Sequence, residues 1–228
     1  MTDGRLAATD ICVFDAYGTL FDVGAAARRW RDLLGEKAAV LSDLWRRKQL
    51  EYSWLRGLMG KYEDFWHVTG SALDHAFTVL GLRDPLLRSK LMSSYFELDA
   101  YPDARAVLAR LKQAGRRTAI LSNGAPSMLS AAVTASGIHE YLDAVLSVDA
   151  VATYKPHPSV YALVGERFGC VPERVCFVSA NGWDVAGAGS FGFLPVWINR
   201  ADQPVEELPG RPTATIASLD DLPKLLGL

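Results

Sequence analysis

The sequence is poor in the residues that would staple a chain, anchor it in a bilayer or give it a general affinity for polyanions. It has only three cysteines, Cys12, Cys170 and Cys176, and no C-x-x-C pair. Neither a disulfide framework nor a zinc knuckle is expected, and all three read as reduced thiols. No apolar run approaches the roughly 18 residues of a membrane span, so a transmembrane anchor is excluded. Basic residues show no excess: 24 Lys and Arg face 26 Asp and Glu, for a net charge of -2. No general nucleic-acid footprint is therefore expected, and any anionic ligand must be met locally. His67, His75 and His139 are scattered without ligand spacing. Residues 1–10 are polar and acidic and contain no apolar h-region, so no secretory signal is visible and the cytoplasm is the expected compartment.

What remains is ordinary globular material. With 228 residues, 50% hydrophobic and 22% charged, the chain suits one large domain or a domain carrying an insertion. Ile11-Cys12-Val13-Phe14 is a short apolar run stopped by Asp15-Ala16-Tyr17-Gly18-Thr19, which reads as a buried strand ending in a turn. Runs at 118–121, 144–148, 175–178 and 194–198 repeat that grammar. Helical segments at 103–114, 126–136 and 159–168 lie between them, each followed by a glycine, Gly115, Gly137 and Gly169. Buried strands alternating with helices predict an α/β fold with a doubly wound, Rossmann-like parallel sheet.

The alternation breaks between residues 22 and 98, where no convincing strand occurs and helix-length blocks fill 40–59 and 63–80. The expected organisation is a core of 1–21 and 99–228 with an all-helical insertion at 22–98. In the first block Leu41, Leu44, Trp45, Leu55, Leu58 and Met59 fall near one helical stripe, opposite Asp43, Arg47 and Glu51. Tyr52 and Trp54 widen the apolar surface, which would suit a dimer contact as well as packing on the core. Residues 203–215 resemble a Pro-rich surface loop.

In such a sheet, ligands bind beyond the carboxyl ends of the strands. That rule gathers Asp15, Tyr17 and Thr19 after the first run, Ser122 and Asn123 after the second, the loop to Lys155 after the third, and Ser179, Asn181 and Asp184 after the fourth. Taken singly, each has a bland reading as a turn residue, or for Asp184 as a helix N-terminal carboxylate. Their joint appearance at four successive strand ends is much harder to obtain from turn chemistry.

These residues carry a resemblance. Phe14-Asp15-Ala16-Tyr17-Gly18-Thr19-Leu20, Leu121-Ser122-Asn123-Gly124, Tyr154-Lys155-Pro156 and Phe177-Val178-Ser179-Ala180-Asn181-Gly182-Trp183-Asp184 resemble, in order, the motifs of the haloacid dehalogenase superfamily. The pattern is most similar to its L-2-haloacid dehalogenase branch, whose cap the segment 44–52 also resembles. Phosphatases of the superfamily place a second Asp two residues after the first and bind magnesium; here that position is Tyr17. A halide leaving group needs no proton, so the missing acid is tolerable for dehalogenation and damaging for phosphoryl transfer.

The resemblance implies metal-independent, cofactor-free hydrolysis of L-2-haloalkanoic acids to D-2-hydroxy acids, with Asp15 as nucleophile forming an aspartyl ester. Lys155 would keep Asp15 ionised. Thr19, Ser179 and Asn181 would orient Asp15 and the hydrolytic water, and Asp184 would hold Lys155 or activate that water. Ser122 with neighbouring amides would receive the substrate carboxylate, and Arg46 and Asn123 the departing halide. Tyr17, Leu50, Phe65 and Trp183 would wall the pocket, and Tyr161 would support Lys155 or the water network. Arg46 also has a plain reading as a solvated arginine beside Arg47. Ala16, Arg47, His157 and Ala180 stand where some relatives carry a larger apolar residue, Gln, Asp and Ser. The partners implied are a small halogenated acid, its halide product and a second copy bound through the cap helices, with no nucleic acid or membrane. The competing readings are a magnesium-dependent phosphatase of small phosphate esters and a non-catalytic carboxylate-binding protein.

Overall fold

The computed structural model describes residues 4–228, with the backbone alone for 25–27; residues 1–3, part of the N-terminal stretch read above, lie outside the described residues. Six strands form one sheet: β1 (Ile11–Phe14), β2 (Arg117–Ser122), β3 (Ala144–Ser147), β4 (Val175–Ser179), β5 (Leu194–Ile198) and β6 (Ala214–Ile216). Their order is β3-β2-β1-β4-β5-β6, and every pairing is parallel. All of β1 and β4 is buried, as expected of strands covered on both faces.

The helices are α1 (Gly4–Ala7), α2 (Gly24–Arg29), α3 (Arg31–Leu34), α4 (Lys37–Leu58), α5 (Phe65–Val79), α6 (Pro85–Ser93), α7 (Pro102–Gln113), α8 (Pro126–Ala135), α9 (Pro158–Phe168), α10 (Gly182–Phe191) and α11 (Leu222–Leu225). Their starts follow local chemistry. Proline opens α6, α7, α8 and α9, where its missing N–H costs nothing. The Asp64 carboxylate caps α5 by accepting from His67 N, and Asp84 caps α6 by accepting from Leu87 N.

Register sets the position of the site. Phe14 is level with Ile120 on β2 and Val178 on β4, so Asp15, Ser122 and Ser179 emerge from the same edge of the sheet. Asp15 N extends the ladder by donating to Val178 O at 2.9 Å. The order reverses between β1 and β4, which makes this edge the crevice of a doubly wound sheet.

Between β1 and α7 the described residues form helices and short turns, with no strand. The chain enters and leaves this layer side by side: Phe21 bridges Ala100 antiparallel, Asp22 N donates to Asp99 O at 3.1 Å and Tyr101 N to Leu20 O at 2.8 Å.

Two sequence expectations need correction. The stripe on α4 is not continuous: Leu41, Leu44 and Trp45 are buried, whereas Leu55, Leu58 and Met59 are exposed, Leu58 to 85%. The second half of α4 instead buries Gln49 and Ser53. The loop read at 203–215 gives way to β6 at Ala214, a three-residue strand on the sheet edge. Residues 182–191 form α10, with Asp184 in its first turn.

Candidate active site

The turn after β1 builds the centre of the site. Gly18 adopts φ +89, a left-handed conformation that glycine enters without steric cost, and its N–H donates to Phe21 O at 2.7 Å. This tight return carries Thr19 back onto Asp15. The Thr19 hydroxyl accepts from Ala180 N at 2.8 Å and donates to Asp15 Oδ2 at 3.2 Å. Asn181 Nδ2 donates to the same oxygen at 2.9 Å. Ser179 Oγ accepts from Asn181 N at 3.1 Å, which fixes the loop that presents Asn181.

Asp15 Oδ1 faces Lys155 Nζ at 3.1 Å, and the same ammonium donates to Asp184 Oδ2 at 2.8 Å. All three groups are buried, Lys155 to 1% exposure. Burial opposes the charge on Lys155, but Asp15 and Asp184 outweigh it and hold its pKa above the ordinary value. Burial pushes Asp184 up to about 6, with Asp15 adding to the rise and Lys155 and Tyr161 restraining it. The Tyr161 hydroxyl donates to Asp184 Oδ1 at 2.8 Å. Tyr161 can lie this close because Gly187 has no side chain: a Cβ there would stand 2.4 Å from the Tyr161 hydroxyl oxygen. Asn123 Oδ1 accepts from Lys155 N at 2.9 Å, anchoring the backbone behind the ammonium.

The helical layer supplies the far wall. Tyr17, buried, stacks on Phe65 with ring centroids 6.1 Å apart and meets Tyr95 at 6.0 Å. Trp183 meets Trp54 of α4 edge-on at 5.3 Å. Arg46 points inward, half-buried, with Nη2 3.5 Å from Asn181 Oδ1, whereas Arg47 is exposed beside Asp43. Ser122 is buried at the end of β2, where its Oγ accepts from Gly124 N at 3.0 Å. Leu50 is half-buried on α4, one turn beyond Arg46.

Asp15, Thr19, Asn181, Lys155, Asp184, Tyr161 and Arg46 thus form one connected polar network. Ser179 and Asn123 support its backbone, and Tyr17, Phe65 and Trp183 lie along the boundary between sheet and helices. Sequence reasoning missed Gln49, Thr69 and Tyr95, and read Trp54 only as apolar surface suited to a dimer contact or to packing on the core, where it meets Trp183. Gln49 carried a readable signal: a polar residue inside an apolar helix face, three positions after Arg46.

The donor set does not suit a divalent cation. An ammonium already spans Asp15 and Asp184, Tyr17 stands where a second Asp would add a ligand, and no cluster of three metal-binding side chains occurs among the described residues.

A family model for haloacid dehalogenase-like hydrolases matches residues 9–192. The chain belongs to this family. Among haloacid dehalogenase-like hydrolases it is 49% identical over 216 residues to (S)-2-haloacid dehalogenase 1 of Pseudomonas sp. (strain CBS-3), covering 94% of this chain and 95% of that one. It is 52% identical to (S)-2-haloacid dehalogenase 4A of Burkholderia cepacia, covering 86% and 85%. The solved structure of L-2-haloacid dehalogenase from Xanthobacter autotrophicus with chloropropionic acid covalently bound superposes with a TM-score of 0.90 at 41% identity, over 96% of this chain and 98% of that one.

Proposed function

We propose that the protein is a hydrolase of carbon–halogen bonds that converts L-2-haloalkanoic acids to D-2-hydroxy acids. The carrying observation is the buried Lys155 ammonium between Asp15 and Asp184. It places a fixed positive charge beside Asp15 as the nucleophile and holds Asp184 close by as a base, without a metal or cofactor. The (S)-2-haloacid dehalogenases that it resembles over most of its length support the same reading.

In the first step the Asp15 carboxylate attacks the carbon bearing the halogen from the side opposite the leaving group. A C–O bond forms, the carbon–halogen bond breaks with inversion, and halide leaves with the bonding pair. Water then attacks Asp15 Cγ and passes a proton to Asp184. The acyl C–O bond breaks with its electron pair going to the alkoxide oxygen, which takes the proton back from Asp184 and leaves as the hydroxy acid, and the regenerated Asp15 carboxylate releases the second water proton to solvent. Thr19 and Asn181 hold Asp15 Oδ2 throughout, and Ser179 orders the loop under Asn181.

The substrate carboxylate fits at Ser122 and the amides leading into α8, where a helix start favours an anion. The halide fits between Arg46 and the amide nitrogen of Asn123, whose oxygen is committed to Lys155 N. Tyr17, Leu50, Phe65 and Trp183 would exclude water during alkylation. Tyr161 would restrain Asp184. Residues 22–98 act here as a cap subdomain over a core of 1–21 and 99–228. The reading extends to a homodimer joined through the cap helices, which sedimentation would test, and to a cytoplasmic protein, consistent with three free thiols.

The deciding experiment is halide release from L-2-chloropropionate in excess EDTA. Wild type should turn over, and Asp15→Asn should lose about a thousandfold or more. Magnesium-dependent phosphate release without halide release would instead support a phosphatase, and carboxylate binding with neither activity a binding protein.

A further inference from the structure

Gln49 is fully buried on α4, three residues after Arg46 and so on the same helix face. A buried glutamine must satisfy both ends of its amide, and here the ends are divided. Oε1 accepts from Arg46 Nη1 at 2.8 Å. Nε2 donates to Thr69 Oγ1 at 2.7 Å and to the Tyr95 hydroxyl oxygen at 3.3 Å. Thr69 fixes the orientation, because its own hydroxyl already donates to Phe65 O at 2.6 Å and can only accept from Gln49. The amide therefore cannot flip, and its oxygen is aimed at the guanidinium.

Arg46 depends on that bond. Its other contact, Nη2 to Asn181 Oδ1, is long at 3.5 Å, and no carboxylate among the described residues pairs with it, unlike Arg47 beside Asp43. A neutral acceptor holds the guanidinium in place without cancelling its charge, so its remaining N–H groups stay available to an anion beside Asn181 and Asp15. A carboxylate at position 49 would keep an acceptor facing the guanidinium and neutralise it, while losing the donor to Thr69. The packing behind the glutamine is rigid: Trp45 Nε1 donates to Thr69 O at 2.9 Å, and Trp45 and Tyr95 meet edge-on at 5.2 Å.

We infer that Gln49 is a positioning residue for the dehalogenation: acting through Arg46, it sets how strongly the departing halide is stabilised. This rests on the role given to Arg46 above. The test compares kcat and KM for L-2-chloropropionate and L-2-bromopropionate in wild type, Gln49→Met, Gln49→Glu, Arg46→Met and the Arg46→Met/Gln49→Met double variant. A hydrogen bond to a charged group predicts a loss in kcat of about tenfold or more for Gln49→Met. The loss should be larger with chloride, the poorer leaving group, than with bromide, and the second substitution should add nothing in the Arg46→Met background.

Equal losses on both substrates, or a full second loss in the double variant, would mean that Gln49 is merely structural and would overturn the inference. Where Gln49→Met does not fold, Gln49→Glu decides: it keeps the acceptor but neutralises the guanidinium, so the chloride-selective loss should persist. A wild-type chloride-to-bromide ratio in folded Gln49→Glu would overturn it. If Arg46→Met alone keeps the wild-type rate and ratio, the role of Arg46 fails first and the inference with it. A sensitive Arg46 beside an inert Gln49 refutes the inference alone.

Discussion

Lys155 has no substitute within its surroundings. Its ammonium is the charge on which two buried carboxylates depend, and it lies 5.0 Å from the centre of the Phe177 ring. Lys155→Met should abolish halide release and destabilise the fold by about 3–5 kcal/mol, as expected when one partner of a buried pair is removed. The destabilisation has a defined pH dependence. Asp184 already has its folded-state pKa raised to about 6, and losing Lys155 removes a lowering influence. A group with a raised folded pKa takes up a proton in the folded state before the unfolded state does, so the penalty shrinks as pH falls through that value. Urea unfolding of Lys155→Met should therefore show a smaller deficit at pH 5 than at pH 8; equal deficits would contradict the assignment of charge to Asp184. Asp15, Lys155 and Asp184 were legible in the sequence because Asp15 directly follows β1 and the other two lie on the segments that leave β3 and β4. Gln49 left only the trace of a polar residue in an apolar helix face beside Arg46, and Thr69 and Tyr95 left none, because they meet Gln49 from elements distant in sequence and no local pattern pairs them.

At the scale of elements, the close approach of α10 to α9 governs the same acid. A Cβ at Gly187 would lie 2.4 Å from the Tyr161 hydroxyl oxygen and 2.6 Å from Pro156 Cβ. Gly187→Ala should cost about 1–3 kcal/mol through overpacking and push the tyrosine off Asp184. That hydrogen bond lowers the pKa of Asp184, so its loss should move the acid limb of kcat upward from about 6, as should Tyr161→Phe. A pH profile that keeps its acid limb in both variants would show that Asp184 does not set it. Elements were read well where apolar runs met turn residues, as at β1 and β5. They were misread where burial depended on distant partners. The far end of α4 runs past its support, leaving Leu58 exposed, and β6 is three residues added to an existing edge.

Across the whole molecule, the contacts between the helical layer and the sheet domain include the aromatic wall, the Arg46–Asn181 contact and a polar clasp. In the clasp, the Tyr62 hydroxyl donates to Asp149 and the Tyr154 hydroxyl to Glu63 O, tying the turn between α4 and α5 to the loops after β3. Replacing both tyrosines by phenylalanine should speed amide exchange across residues 59–64 while leaving the global unfolding transition nearly in place, the pattern of a local opening. An exchange rate that rises only together with global unfolding would show that the clasp is an inseparable part of the core.

The edge-on pair of Trp54 and Trp183 has an optical consequence. One indole belongs to α4 and the other to α10, so their electronic transitions couple only while helical layer and sheet are together. The near-ultraviolet dichroism and emission of the unlabelled protein therefore carry a signal of that contact, isolated by subtracting the spectrum of Trp54→Phe. Followed in a stopped-flow instrument during turnover, a change in that signal would report separation of the two indoles, and a constant signal would show that the contact persists through halide release.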